Sequence, residues 1–379
     1  MKKIFFVAGE VSGDQHASEV IRELKRLDPE VEVHAYGGPL MEQAGAKIHF
    51  PLPDLASVGL DWIWKVFQFR KVGVELLKIC KREEIGTLVL VDFPGFNLRV
   101  ATAAKKAGIR VIYYIIPQVW AWRAGRLKRM KRDLDSALVI FPFEKPLLEA
   151  AGIETEFVGH PLVDKLSRVR DRSTVLDEHG LRDQGGKRLI GLLPGSRNRE
   201  VDRLLPVLLE AAIRIQKEVS DVHFVLPLAS SISLERVRSQ VGDSKSVSIV
   251  KNPSDDFRSV LDFSITKSGT STLENAVMGV PQIVIYKGRP LDAWIARRVV
   301  RVQWLGLVNL IAGREICPEL LQEDCTAEAI TAKTVYFLND KGAINKMVEA
   351  MAQVRASLGE SGASERAAKA VLSRLTLSH

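Results

Sequence analysis

The chain has 379 residues, a formal net charge of +8 and 46% hydrophobic and 26% charged content, a length that calls for two or three domains and a composition typical of soluble globular proteins. No uninterrupted apolar run approaches the roughly 18 residues that span a bilayer. Three cysteines, Cys80, Cys317 and Cys325, have neither metal-ligand spacing nor an even count, which argues against a disulfide framework and fits a reducing compartment. The basic surplus implies an anionic partner without saying which. Met1 to Phe6 runs directly into a strand-like segment with no apolar region and small-residue cleavage site behind it, so the expected location is the cytoplasm.

Ile4 to Ala8 predicts the first strand. The following turn, Ala8-Gly9-Glu10-Val11-Ser12-Gly13-Asp14, has glycines where the chain bends tightly but matches neither Gly-x-Gly-x-x-Gly nor the Gly-Lys-Ser/Thr of a P-loop. That argues against a dehydrogenase and an ATPase. The turn is either a ligand-facing loop or one in which Asp14 only caps the next helix. After an amphipathic stretch, Ala17 to Leu27, and a strand, Val31 to Tyr36, comes Trp62-Ile63-Trp64-Lys65-Val66-Phe67-Gln68-Phe69-Arg70-Lys71. It is apolar around too much of a helix to be a simple core stripe, and its exceptions are mainly cationic. Trp62, Ile63, Trp64, Val66, Phe67 and Phe69 suit a helix in a membrane interface or a lip for acyl chains, although a helix buried between domains has the same composition.

The strand Thr87 to Val91 ends in Asp92-Phe93-Pro94-Gly95-Phe96-Asn97. A carboxylate at a sheet edge among aromatic rings acquires a raised pKa and can accept a proton; equally, Asp92 can stabilise its own Pro-Gly turn. A helical pattern, Leu98 to Ala107, and a strand, Arg110 to Ile115, lead to Pro117-Gln118-Val119-Trp120-Ala121-Trp122-Arg123. Two indoles and a guanidinium suit a sugar-phosphate, or form a packed surface loop. From Arg123 to Arg132 stand six basic residues in ten, a density that nucleic-acid-binding proteins also show. Strands at Ala137 to Phe141 and Glu156 to Val158 follow, and the polar Val169 to Ser173 reads as a linker.

The alternation then restarts with strands at Arg188 to Leu193, Val222 to Pro227, Ser246 to Val250, Phe263 to Thr266 and Gln282 to Tyr286. Continuous apolar strands separated by helices signify a parallel sheet covered on both faces, so two doubly wound α/β domains are expected in tandem. Their facing strand ends would form a cleft. In the second, Pro194-Gly195-Ser196-Arg197-Asn198-Arg199-Glu200 opens the amphipathic segment Val201 to Val219. Unpaired amides at the positive end of a helix, with a hydroxyl and guanidinium groups beside them, suit phosphate; an ordinary β-to-α turn with solvated arginines reads the same. Lys267-Ser268-Gly269-Thr270-Ser271-Thr272-Leu273-Glu274 also links a strand to a helix, its small residues admitting a diphosphate and Glu274 accepting from ribose hydroxyls. Together the two turns read as a nucleotide-diphosphate site. Beyond Thr326 the chain is almost wholly helical.

The ordered set Gly9 to Asp14, Asp92 to Asn97, Pro117 to Arg123, Phe141-Pro142-Phe143-Glu144, Gly159-His160-Pro161, Leu193 to Arg197, Ser268-Gly269-Thr270, Glu274 and Asn309-Leu310-Ile311-Ala312-Gly313-Arg314-Glu315 closely resembles the lipid-A-disaccharide synthase family, from about Ile4 to Cys325. The resemblance implies a GT-B fold, with residues 1–168 as an acceptor and membrane domain, 169–330 as a UDP-sugar domain and 331–379 as helices packing back on a domain or a partner subunit. It implies inverting, metal-independent transfer, without cofactor, from UDP-2,3-diacylglucosamine to 2,3-diacylglucosamine 1-phosphate, giving the β-1′,6-linked disaccharide phosphate and UDP. A homodimer at the cytoplasmic face of a Gram-negative inner membrane is also implied, with no nucleic-acid partner.

Position by position, the resemblance makes Asp92 the base for, or positioner of, the acceptor's 6-hydroxyl, and Arg197 the neutraliser of the leaving diphosphate. It assigns Gly195, Ser196, Ser268, Gly269, Thr270, Glu274, Asn309 and Arg314 to the UDP-sugar, and Glu10, Ser12, Asp14, Asn97, Trp120, Trp122, Arg123 and Arg126 to the acceptor side. The family commonly has a second acid three positions after the first, where this chain has Gly95. Alternatives are a UDP-N-acetylglucosamine 2-epimerase, which needs neither the membrane-like segment nor the tryptophan loop, and a silent nucleotide-sugar-binding regulator, against which Asp92 and Arg123 count.

Overall fold

The computed structural model describes residues 2–52, 62–117, 125–166, 169–184, 186–242, 244–288 and 303–375, and for residues 62–69 the helical backbone alone. Trp120, Trp122 and Arg123, and the side chains of Trp62, Ile63, Trp64, Val66, Phe67 and Phe69, therefore lie outside the described residues. In chain order the described elements are β1 (Lys3–Ala8), α1 (Val11–Leu27), β2 (Glu32–Tyr36), α2 (Pro39–Gln43), β3 (Lys47–Phe50), α3 (Trp62–Arg82), β4 (Thr87–Val91), α4 (Pro94–Lys106), β5 (Arg110–Tyr114), α5 (Gly125–Asp133), β6 (Ser136–Val139), α6 (Glu144–Ala150), β7 (Thr155–Phe157) and α7 (Pro161–Lys165). They continue with α8 (Arg172–Glu178), β8 (Arg188–Leu193), α9 (Asn198–Glu218), β9 (Val222–Leu228), α10 (Leu234–Val241), β10 (Val247–Lys251), β11 (Phe263–Lys267), α11 (Thr270–Met278), β12 (Gln282–Tyr286), α12 (Leu307–Ala312), β13 (Glu319–Leu321), α13 (Ala327–Asn339), α14 (Lys341–Ser357) and α15 (Ala363–Leu372).

The strands form two parallel sheets, in the orders β3-β2-β1-β4-β5-β6-β7 and β10-β9-β8-β11-β12-β13. A parallel strand covered on both faces must be apolar on both sides, and Ile4, Phe5, Phe6, Val7 and Ala8 are all fully buried, as are Leu88 to Val91. The edge strands β3 and β13 were not legible as apolar runs. With one neighbour each, they are partly exposed and mix charged with apolar residues.

Contacts divide the chain into two compact units, Met1–Pro161 with Leu358–His379, and Leu162–Ser357. This differs from the expected boundaries at residues 168 and 330, and the reason lies in the C-terminal helices. In the second unit, α13 packs on α9 and α14 on α11, and Arg188 Nη1 donates to Leu338 O at 2.7 Å. In the first, α15 packs on α1, burying Ala367, Ala370 and Val371 on one side and Ala17, Val20, Ile21 and Leu24 on the other. Arg366 donates to Val158 O, Ser361 O and Glu360 O, while Arg374 pairs with Glu154 and Glu156 at 2.8 and 2.9 Å.

Each sheet reverses its winding once, between β1 and β4 in the first and between β8 and β11 in the second. At such a switch point the flanking loops diverge and leave a crevice at the carboxyl ends of the strands. Register pairs Ala8 with Val91, and Leu193 with Thr266. The glycine-containing turn and Asp92 thus meet at one crevice, and the Pro-Gly-Ser-Arg and Ser-Gly-Thr turns at the other.

Candidate active site

In the first unit Asp92 occupies a constrained turn. Asp92 and Phe93 have φ values of 47° and 48°, a left-handed pair that costs of order 1–3 kcal/mol per non-glycine residue and persists only where its surroundings fix it. Here the Asp92 N–H donates to Tyr114 O at 3.1 Å. The Asp92 carbonyl accepts from Tyr113 Oη at 2.6 Å and Asn97 Nδ2 at 2.7 Å. Phe93 turns its ring onto Gly9, where a methyl group would occupy the ring itself; the two loops of the crevice interlock there. Burial, then the charge of Glu10, raises the Asp92 carboxyl from the ordinary 3.8 to about 6, against a smaller lowering by the Phe93 backbone N–H. A carboxylate poised near neutrality at a strand end has the pKa required of a general base.

The other expected acceptor residues divide by position. Glu10 and Ser12 are exposed beside the turn, and Arg126 on α5 is close enough for its charge to act on the Tyr113 phenol. Asp14 is instead committed to the fold. It is 3% exposed, and its carboxylate accepts from Gly38 N, Leu40 N and Met41 N at 2.8, 3.1 and 3.2 Å, capping α2 across space rather than facing a ligand. Asn97 is also fully buried; its amide donates to Val91 O and Asp92 O, so it shapes the Asp92 turn from behind. Tyr113 and Phe93, which complete this arrangement, carry no local sequence signal.

Beside α3 lies a groove of about 800 Å³, lined by Tyr36, Phe50 and Val72 together with Arg70, Lys71 and Arg82. No described helix is long and apolar enough to cross a membrane.

In the second unit α9 begins immediately after Arg197, its extended N-cap residue. The first amides of a helix lack the usual partner four residues back, and here the Glu200 N–H turns back to Arg197 O at 2.9 Å. Gly195 has φ 113° and leaves no room for a side chain against the Glu200 carboxylate. Ser196 O accepts from Ser231 Oγ at 2.8 Å, which ties the turn to the loop before α10. The Arg197 guanidinium is 81% exposed and 3.4 Å from Glu200 Oε1. Glu200 Oε1 also pairs with Lys267 Nζ at 2.9 Å, joining this loop to the one that opens α11.

Gly269 and Thr270 stand at the start of α11, with Thr270 exposed. The Ser268 hydroxyl, expected at the diphosphate, donates instead to Leu305 O at 2.7 Å. Glu274 and Arg258 line a cavity of about 130 Å³ with Lys165, Pro227, Ser254 and Phe257. Arg258 Nη2 pairs with Glu274 Oε2 at 2.5 Å, and the guanidinium reaches Asn275 Oδ1 and Ser271 Oγ. Asn275 Nδ2 in turn donates to Ser264, Thr266 and Gln282. This polar network fixes α11 beneath its own N-terminus. Arg258, Lys267 and Glu200 were missed in the sequence because each acts through a partner on another element.

Asn309, assigned to the UDP-sugar by the resemblance, is held within its own loop. Fully buried, it accepts from Ile316 N and Cys317 N and donates to Cys317 O and Glu319 Oε1, stapling the loop that leaves α12. Arg314 in that loop is exposed.

The sequence profile of the lipid-A-disaccharide synthetase family matches residues 4–373. Among relatives, the lipid-A-disaccharide synthase of Geobacter metallireducens is 41% identical, covering 99% of this chain and 97% of its own. That of Coxiella burnetii strain Dugway is 34% identical, covering 98% of each. Solved structures share the fold at low identity. The S. aureus MnaA–UDP co-structure has a TM-score of 0.67 at 14% identity, covering 98% of this chain and 96% of that one. The glycotransferase of kitacinnamycin has 0.62 at 16%, covering 99% of each. The two parallel sheets with flanking helices are thus of the GT-B type, common to epimerases and glycosyltransferases, and the sequence relatives distinguish between these. Across nearly its whole length, the chain belongs to the lipid-A-disaccharide synthase family.

Proposed function

We propose that the chain forms the lipid A disaccharide by inverting transfer of a 2,3-diacylglucosaminyl group from its UDP conjugate to the 6-hydroxyl of 2,3-diacylglucosamine 1-phosphate, releasing UDP. As a member of this family it is a glycosyltransferase. Asp92 takes the proton of the attacking hydroxyl. As the new C–O bond forms, the bond to the diphosphate breaks and its electron pair stays on the departing oxygen. The turn Gly195-Ser196-Arg197 and the start of α11 hold that diphosphate, Arg197 offsets its growing charge, and Glu274 accepts from the ribose. Burial, and after it the charge of Glu10, raises the basicity of Asp92, by which a single acid at 92 serves although Gly95 replaces the second.

The observation that carries this reading is the strained, half-buried Asp92 turn at the first switch point, with its carboxyl near 6. On the acceptor side, the groove beside α3 combines apolar and cationic lining, the character required by acyl chains below an anionic headgroup. The same region supports peripheral attachment to the cytoplasmic face of the inner membrane. A homodimer follows from the family resemblance, and sedimentation velocity in detergent tests it.

The deciding assay incubates purified protein with both lipid substrates in detergent and EDTA. Equimolar disaccharide phosphate and UDP support the reading. UDP without disaccharide points to hydrolysis or a different acceptor, and absence of both products from folded, UDP-binding protein overturns the catalytic assignment.

A further inference from the structure

The positive end of α9 already has an anion. Glu200 stands in the first turn of that helix, where a carboxylate is favoured by the helix dipole and where the diphosphate is also to bind. The side chain is 20% exposed, and it presses against Gly195 so closely that no Cβ fits between them. Two negative groups at one helix terminus repel each other, in a partly desolvated loop where charge is poorly screened. Arg197, 81% exposed and 3.4 Å away, neutralises Glu200 only by giving up the ligand. Lys267 is placed differently. It is 18% exposed, ends β11 on the opposite side of the crevice and reaches Glu200 Oε1 at 2.9 Å.

We propose that Lys267 is a positioning residue that sets the affinity for a nucleoside diphosphate by cancelling the charge of Glu200 and locking together the two loops that receive the ligand. Resting on the reading of the second unit as the diphosphate site, this explains how Arg197, whose contact with Glu200 is long and exposed, can turn to the departing group. Lys267 acts through Glu200 and the phosphate oxygens go to Arg197 and the loop amides.

The test is calorimetric titration of the full-length protein with UDP, alongside thermal melting of each variant. If wild-type protein binds no UDP, the diphosphate reading itself fails; the following comparisons apply once binding is seen. Lys267→Met is expected to weaken UDP about tenfold, because the uncompensated carboxylate faces the ligand. Glu200→Gln alone is expected to bind UDP several-fold more tightly than wild type. Combining Lys267→Met with Glu200→Gln is expected to return the affinity to within about threefold of wild type. A purely structural bridge predicts the reverse: both single variants weaken binding and the double variant does not recover. That pattern overturns the proposal, as does wild-type affinity in Lys267→Met, or a loss in Lys267→Met that Glu200→Gln leaves uncorrected. Should Lys267→Met fail to fold, Glu200→Gln still decides, since a weaker rather than tighter complex refutes the charge argument.

Discussion

Asp92 couples function to stability in opposite directions. Its carboxyl is raised from 3.8 to about 6 in the folded protein, so between those values the native state binds the proton more readily than the unfolded chain. Stability contributed by the protonated acid is therefore present below about pH 4 and lost as pH rises through 6, a difference of roughly 3 kcal/mol. Asp92→Asn should raise the melting temperature at pH 8, leave it near wild type at pH 4, and lower turnover by about 10²- to 10⁴-fold; differential scanning fluorimetry and the coupled UDP assay read both. For the wild type, kcat/KM should fall below an apparent pKa near 6. Asp14 makes the contrasting case. Asp14→Ala removes three accepted hydrogen bonds and should cost on the order of 2–3 kcal/mol in urea unfolding while kcat of the folded fraction holds. A large fall in kcat would return Asp14 to the acceptor site.

At the scale of elements, two loops at each switch point are locked by a contact that neither loop contains alone. Gly9→Ala drives a methyl group into the Phe93 ring and should depress kcat through the displaced Asp92 turn, with Phe93→Leu in the same chain restoring part of it; no restoration would mean that the two loops are not coupled. Likewise, Arg258→Ala leaves Glu274 unpaired beneath α11 and should raise KM for the UDP-sugar with a smaller effect on kcat. Such couplings mark the limit of what sequence reveals. Apolar runs announced the central strands because burial on both faces demands them, and the Pro-Gly-Ser-Arg and Ser-Gly-Thr turns announced themselves because tight β-to-α turns require particular residues. For Asp14, Asn97, Ser268 and Asn309 the sequence does not separate the two uses, since a polar residue in a loop looks the same whether it faces a substrate or a backbone amide. Asp14 caps α2 some two dozen residues away, and Asn309 satisfies the amides of Ile316 and Cys317; only the folded path of the chain distinguishes these uses.

For the whole molecule, the surplus of basic residues, +8 in all, should make vesicle binding depend on salt. Cosedimentation with vesicles rich in anionic phospholipid is expected to fall steeply as ionic strength rises, and binding to neutral vesicles alone would leave the apolar residues of Trp62 to Phe69 as the attachment. The contribution of α15 to the first unit also dictates a temporal order. Leu162–Ser357 is continuous in sequence, whereas the first unit waits for its closing helix. During translation α1 therefore stays uncovered until α15, more than three hundred residues downstream, has left the ribosome. Chains truncated by premature termination near Ser357 would carry a finished second unit beside an α1 surface still open to chaperones and proteases.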